Sequence, residues 1–401
     1  MTLGSSLHLA VALDGAGWHP AAWREPSARP AELFSARYWV ELARLAEQGL
    51  LDFLTIEDSL SPPSDRAGVV AGRLDAVLVA ARVAPLTSRI GLVPSVTVTH
   101  TEPFHVSKAI ATLDYVSSGR AGVRVQVSAH PLEAVHFGRR TFPAVTPDVE
   151  PAARRVRVEA LLEEAADYVE VLRRLWDSWE DDAETRDVAT GRFIDRTRLH
   201  YIDFAGRWFS VKGPSITPRP PQGQPLVTAL AHSTDPYRFA LGSADVVFVT
   251  PEDVREAGRI AAELANLQAE TGRPATEVTS LADLVVFLGT TAAEARDRKS
   301  RLDEMLGRPY RSDAAVFVGT ATELADLMQG WLATGLDGFR LRPGGLPRDL
   351  QLICHELVPE LQRRSLFRTA YDSGTLRGRF GLSRPGSRYA PLRYAPLGLD
   401  A

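Results

Sequence analysis

Along the chain, apolar runs of five to nine residues alternate with longer stretches in which apolar side chains recur every three or four positions. The short runs read as strands: LHLAVAL (7–13), DFLTIED (52–58), IGLVPSVTV (90–98), GVRVQVS (122–128), PLVTALA (225–231), DVVFVT (245–250), LADLVVFLG (281–289) and GFRLR (338–342). The longer stretches read as helices. Residues 35–49 place Tyr38, Leu42, Leu45 and Ala46 on one face with Gly49 as the stop, and residues 158–179 repeat the pattern from Leu161 to Trp176. Several strands are rich in Val and Leu with few charges, as parallel strands covered on both faces require. Eight of them alternating with helices predict an α/β fold, the (β/α)8 TIM barrel.

The alternation breaks once, between the fourth and fifth strands. The segment from about 129 to 224 holds the long helix, an acidic turn EDDAE (180–184), a predicted hairpin LHYIDFAGRWFSV (199–211) and the Pro-rich GPSITPRPPQGQP (213–225). A large insertion opening off a strand end predicts a lid over a site. The barrel domain is expected to occupy 1–364. Residues 365–401, rich in Gly, Arg and Pro and ending in the tandem RYAPL (388–392) and RYAPL (393–397), are expected to form an extended C-terminal arm without a core of its own, suited to wrapping a partner subunit.

Charge and composition narrow the function. A formal charge of -4, with 46 basic and 50 acidic residues interspersed, provides no footprint for nucleic acid. No apolar run approaches the ~20 residues that span a bilayer, and the first residues lack a basic leader region, so a cytoplasmic protein with no membrane partner is expected. The one cysteine, Cys354, excludes an intrachain disulfide and a Cys-based zinc site and sits at helical spacing as a core thiol.

In such a barrel, functional groups gather where strands end. Strand two ends on Glu57 and Asp58, strand three on Thr97, Thr99 and His100, strand four on Ser128 and His130, and strand five on His232 and Ser233. Hydroxyls, imidazoles and a carboxylate on one rim suit a polar, hydrogen-bonded small molecule. Each also has a plain structural use, Asp58 as a cap above all. Glu57 and Asp58, adjacent in a strand, point to opposite faces and make a poor glycosidase pair. There is no GxxxxGK[ST], HExxH or GxSxG, and Gly15-Ala16-Gly17 lacks the third glycine of a dinucleotide loop. In TLDYVSSGRAGVRVQVSAH (112–130), Gly119 to Gly122 are read as a tight handover from helix to strand and Arg120 as a structural ion-pair residue, with a phosphate or carboxylate ligand as the alternative.

The segments LAEQGLLDFLTIEDS (45–59), TEPFHVSKAIATLDYVSSGRAG (101–122), YVEVLRRLWDSWEDDA (168–183), FSVKGPSITPRPPQGQPLV (209–227), FALGSADVVF (239–248) and LVPELQRRSLFRTAYDSGTLRGRFGLSRP (357–385) together carry a resemblance. The chain resembles the bacterial-luciferase-like flavin monooxygenases, in the branch of the nitrilotriacetate, dibenzothiophene-sulfone and long-chain alkane monooxygenases. That resemblance implies a cytoplasmic homodimer that takes reduced FMN from a separate NAD(P)H:flavin reductase and, through a flavin C4a-peroxide, uses O2 to oxidise a small or medium organic substrate. It implies cofactor-binding roles for Asp58, Thr97, Ser128 and Ser233, and proton handling by His100, His130 or His19. Three departures cluster at the phosphate end: Val123 and Arg124 replace Trp and Asn, Leu161 and Leu162 stand where relatives carry Arg-Tyr, and Pro236 replaces a glycine. Arg124 or His232 would compensate as a cationic ligand. The departures leave open the deazaflavin F420 as cofactor, with hydride transfer, or a flavin-free barrel acting as a binding or regulatory partner. Trp18, Phe104, Tyr201, Trp208 and Phe209 are the aromatic residues expected around an apolar substrate.

Overall fold

The computed structural model describes residues 7–143, positions 65 and 67 aside, and 151–390; the second RYAPL lies outside the described residues. Strands β1 (His8–Leu13), β2 (Phe53–Ile56), β3 (Gly91–Thr97) and β4 (Gly122–Gln126) alternate with α1 (Ala36–Gln48), α2 (Ala76–Val83) and α3 (Pro103–Val116). After β4 come α4 (Pro131–Phe137), the long α5 (Pro151–Asp177) and two antiparallel hairpins, β5 (Glu184–Asp187) with β6 (Arg192–Ile194) and β7 (Phe204–Ala205) with β8 (Ser210–Val211). Alternation resumes with β9 (Leu226–Leu230), α6 (Thr234–Ser243), β10 (Val246–Val249), α7 (Val254–Thr271), β11 (Thr279–Leu288), α8 (Ala292–Leu306), β12 (Ala315–Gly319), α9 (Ala321–Leu332) and β13 (Gly338–Pro343). It is followed by α10 (Arg348–Leu352), a π-helical turn (Ile353–Leu357), α11 (Val358–Arg363) and α12 (Leu376–Arg379).

Parallel pairing in the order β1, β2, β3, β4, β9, β10, β11, β13 and back to β1 closes an eight-stranded barrel from the eight expected strands. A ninth strand, β12, stands outside the ring. It pairs with Leu284–Leu288 of β11, the half that β10 leaves free after Ala282. The long helix α5 packs between α3 and α6, in the outer ring of helices. Among the described residues no helix is long and apolar enough to cross a membrane.

Strand alternation divides the interior from the shell. Leu9, Val11, Leu54, Leu92, Val123, Val227, Val247 and Leu341 point outward and pack under the helices. Ala10, Phe53, Val93, Leu226, Val246, Phe248 and Leu281 point inward and form an apolar layer at the base, where the strands begin. The segment after Arg364 lies against its own barrel: Leu376, Phe380 and Leu382 join that apolar layer and plug the base. Burial of each such side chain contributes roughly 1.5–3 kcal/mol.

The base also explains the SSGRAG turn. Gly119 has φ +83, and a Cβ there would press on the Thr375 methyl at 3.0 Å; a Cβ on Gly122 would lie 2.9 Å from the Leu226 carbonyl oxygen. Among the described residues Arg120 makes no ion pair of the expected kind. Its guanidinium is buried and donates to the carbonyls of Ser117, Ile90, Ala84 and Thr87 and to the Thr87 hydroxyl, satisfying carbonyls of the turn that follows α2. Gln222 of the Pro-rich segment reaches Asp114 at 2.6 Å and the Ala121 carbonyl at 2.8 Å, and accepts from the Arg377 amide at 2.7 Å. Three distant segments thereby lock together.

Above the apolar layer the interior is charged. Arg124 pairs with Glu57 at 3.0 Å, Glu57 with Arg340 at 3.0 Å, Arg340 with Asp283 at 2.5 Å, and Arg342 bridges Asp283 to Asp313 at 2.6 Å. Three guanidinium and three carboxylate groups balance. Arg340 and Asp283 are fully buried, so each ion depends on the next to offset its lost hydration. Burial alone would raise the Glu57 and Asp283 carboxyls, but the surrounding arginines more than offset it and hold both below their ordinary values.

Three outcomes are expected. Asp283→Ala, which strands Arg340 and Arg342 in the interior, should cost about 3–5 kcal/mol in chemical denaturation; a loss within ordinary surface-substitution scatter would refute the network. Leu376→Ala should cost about 2–5 kcal/mol, and an unchanged midpoint would show that the tail does not seal the base in solution. Because Glu57 and Asp283 have depressed folded-state values, their contribution is complete above ordinary carboxylate values of 4.5 and 3.8 and is lost as pH falls through the folded-state values. Acid denaturation of Asp283→Asn should therefore show a shallower stability loss than the wild type.

Candidate active site

The opposite end of the barrel, where the strands finish, carries the residues expected there. Gln126 closes β4 and donates from Nε2 to the Asp58 carbonyl at 2.8 Å and to the Thr97 hydroxyl at 2.9 Å. The Ser128 amide donates to the Thr99 hydroxyl at 2.9 Å, and the His130 amide donates to Ser128 Oγ at 3.1 Å. Asp58, Thr97, Thr99 and Ser128 are thus brought together across the ends of β2, β3 and β4. The Asp58 carboxylate accepts from the Ser59 and Ala76 amides and anchors the start of α2, the capping use its position allows. Burial nevertheless raises its pKa.

Glu133, on α4, was not singled out by the strand-end reasoning because it belongs to a helix. It is buried and accepts from Ser61 Oγ at 2.5 Å and Ser59 Oγ at 3.2 Å, tying the loop after β2 to α4. Burial would raise its pKa, but the hydroxyls of Ser61, Ser128 and Ser59 more than compensate and hold it low.

The four candidate histidines occupy different settings. His19 is buried; Nδ1 accepts from the Ala21 amide at 3.1 Å, so Nε2 carries the proton toward Asp303 at 3.2 Å. Both of its nitrogens are committed, and burial lowers its pKa. His130 is exposed at the start of α4. His100 is buried, stacked on Phe137 with ring centroids 5.2 Å apart, and its Nε2 has no partner among the described residues. Burial, assisted by Arg140, lowers its pKa. His232 lies two residues past β9, with Nδ1 2.9 Å from the Thr250 hydroxyl and Nε2 3.7 Å from Asp313.

Next to His232, Ser233 caps α6 in position but not by its side chain, whose hydroxyl makes no capping bond. Pro236 occupies the third helical position and removes one first-turn N–H donor, leaving those of Thr234 and Asp235. Arg155 on α5 comes within 3.9 Å of Asp235. Arg124 does point inward, but its guanidinium is engaged below the rim by Glu57, Ser95 and Gln126.

A cavity of ≈ 210 Å³ opens beside this rim, between the loop after β1 and the segment that follows β2. Asp14, Trp18, Trp23, Phe34, Trp39 and Glu57 line it. The indole N–H groups of Trp18, Trp23 and Trp39 donate to the carbonyls of Ala12, Gly68 and Leu33, which fixes the rings. The loop itself is held close: Gly17, at φ +126, allows no Cβ because the Gly344 carbonyl oxygen would lie 2.5 Å away. Burial raises Asp14 to about 6, against the attraction of Arg73. Of the expected aromatic residues only Trp18 lines this cavity. Phe104 packs with Val171 and Leu175, Phe209 against Tyr168, Trp208 beside Arg207, and Tyr201 is exposed.

Comparison with known proteins places this geometry. Over 96% of its length the chain is 30% identical to the N-acetyl-S-(2-succino)cysteine monooxygenase of Bacillus subtilis (strain 168), covering 98% of that protein. It is 28% identical to nitrilotriacetate monooxygenase component A of Aminobacter aminovorans over 97% of this chain and 99% of that one. The fold superposes on a long-chain alkane monooxygenase with a TM-score of 0.82 at 23% identity, covering 94% and 96% of the two chains. The profile of the luciferase-like monooxygenases matches residues 16–337, from the loop that frames the cavity to the turn before the last barrel strand. With a closed barrel, a polar rim at its strand ends and relatives aligned over nearly their full length, the chain belongs to the luciferase-like monooxygenase family.

Proposed function

We propose that the protein is the oxygenase of a two-component monooxygenase, receiving reduced FMN from a separate NAD(P)H:flavin reductase and oxidising a small organic substrate with O2 as a homodimer. The observation that carries this reading is a set of uncommitted polar groups at the barrel mouth. The Ser233 hydroxyl and the first-turn amides of Thr234 and Asp235 fit a phosphate; Arg155 lies alongside, paired with Glu159 at 2.8 Å. The buried His100 Nε2, without a partner among the described residues, fits a proton-handling role. The designation of the nitrilotriacetate relative as component A supports a second, electron-supplying component.

Reduced FMN, when bound, supplies the two electrons by which O2 is divided between the oxidised product and water. The chain's own residues do the rest. Ser233 and the Thr234 amide would hold the phosphate, Gln126 and Thr97, bonded to each other, would frame the site for the ring system, and His100 would hold or release a proton at Nε2. Glu133, through Ser59 and Ser61, keeps the loop after β2 against α4 and limits water at the mouth.

Anaerobic titration followed by fluorescence should show reduced FMN binding, weakened about tenfold, or ~1.4 kcal/mol, in Ser233→Ala. No binding of reduced FMN, or binding of F420 in its place, would overturn the reading. His100→Ala should lower turnover about 10²-fold or more while leaving reduced FMN affinity unchanged; equal activity of the two proteins would remove His100 from the reaction.

A further inference from the structure

We propose that the aromatic-walled cavity beside β1 is the anchoring pocket for the substrate, and that Asp14 selects a molecule carrying a protonated amine on an apolar body. This rests on the monooxygenase reading for the fate of the molecule, though not for its binding. Asp14 lines the cavity, and its carboxylate has no hydrogen-bond partner among the described residues. The walls around it are formed by Trp18, Trp23, Phe34 and Trp39; Arg342 already lies over the Trp18 ring, 4.4 Å from its centroid, which leaves the other three rings for a ligand. Because all three indole N–H groups are taken by backbone carbonyls, those walls offer a ligand no donor. An acceptor-only carboxylate among aromatic faces recognises a cation, through charge-assisted hydrogen bonds at the acid and attraction to the ring quadrupoles.

The neighbouring charges agree with that sign. Glu57 also lines the cavity, but Arg124 and Arg340 already neutralise it. Arg73 is the one basic side chain besides the committed His19 among the lining residues, and it is exposed, where water screens it. Polycarboxylates such as nitrilotriacetate would bring like charge against Asp14. In this chain the pocket therefore favours the opposite class of ligand from the one for which that relative is named.

The cavity's tryptophans supply the signal for a test by fluorescence and calorimetry at pH 8, using 2-phenylethylamine, 3-phenyl-1-propanol and 3-phenylpropionate as cationic, neutral and anionic probes of similar shape. The expected order of affinity is amine, alcohol, carboxylate. Asp14→Asn should weaken the amine at least about tenfold and leave the alcohol within twofold; an unchanged melting temperature verifies that the variant is folded. Amine affinity should also fall as pH drops through about 6, where Asp14 takes up a proton. Of the other facing groups, Glu57 is held low by its arginines and burial lowers His19, whereas burial raises Asp58 as it does Asp14; loss of the pH dependence in Asp14→Asn assigns it to Asp14. Tighter binding of the carboxylate than of the amine in the wild type, or equal amine affinity in wild type and Asp14→Asn, would overturn the proposal. None of the probes requires flavin. A protein that orders them as expected but fails to bind reduced FMN would refute the monooxygenase reading and uphold the pocket.

Discussion

The barrel depends on the balanced charge layer across its middle. Glu57, Arg124, Asp283, Arg340 and Arg342 fill positions that an apolar barrel would give to Val or Leu, and none of these ions is stable there without its neighbours. The layer has two faces. Below it the interior is apolar and closed by the tail; above it the strand ends present hydroxyls, an amide, imidazoles and the Asp58 carboxylate. The arginines therefore do not reach up to a ligand. They form a rigid polar floor, and Glu57, whose backbone leads directly to Asp58, joins that floor to the rim and to the aromatic cavity at once.

This division accounts for what could be read in the sequence. The eight barrel strands were legible because parallel strands covered on both sides must be apolar over most of their length, and Val and Leu at those positions cannot serve an exposed segment. β12 was not, because it stands outside the ring and four of its five residues are only half-buried, so AVFVG lacks a distinguishing pattern. The family was legible for a different reason. SSGRAG, the Pro-rich segment with Gln222, the LWDSW helix end and TLRGRFG all meet away from the mouth: Gln222 bonds Asp114 and the Arg377 amide, Asp177 pairs with Arg219, and the Trp179 indole N–H donates to the Ser215 carbonyl. These interactions hold the barrel's outer wall and base, so the segments that reveal kinship are structural ones.

The site was legible only in outline. Strand ends located Asp58, Thr97, Ser128, His100, His232 and Ser233 on one rim, since period-two alternation and strand direction suffice for that. Which group is committed and which is free depends on partners far away in sequence. His19 is bound by Asp303 and Arg124 by Glu57, whereas Asp14 follows directly after a strand and attracts no notice until its empty surroundings are seen. Pro236 is the one departure whose effect can be read locally, as a missing donor in the first turn of α6.

The tail has a consequence for how the chain is made. Leu376, Phe380 and Leu382 complete a layer to which β1, β2, β3, β9, β10 and β11 contribute, and Leu376 rests where a side chain on Gly91 would otherwise stand. On a ribosome β1 and β2 emerge more than three hundred residues before the segment that covers their inner ends. Until residues 376–382 have been made, the nascent barrel carries an uncovered apolar base.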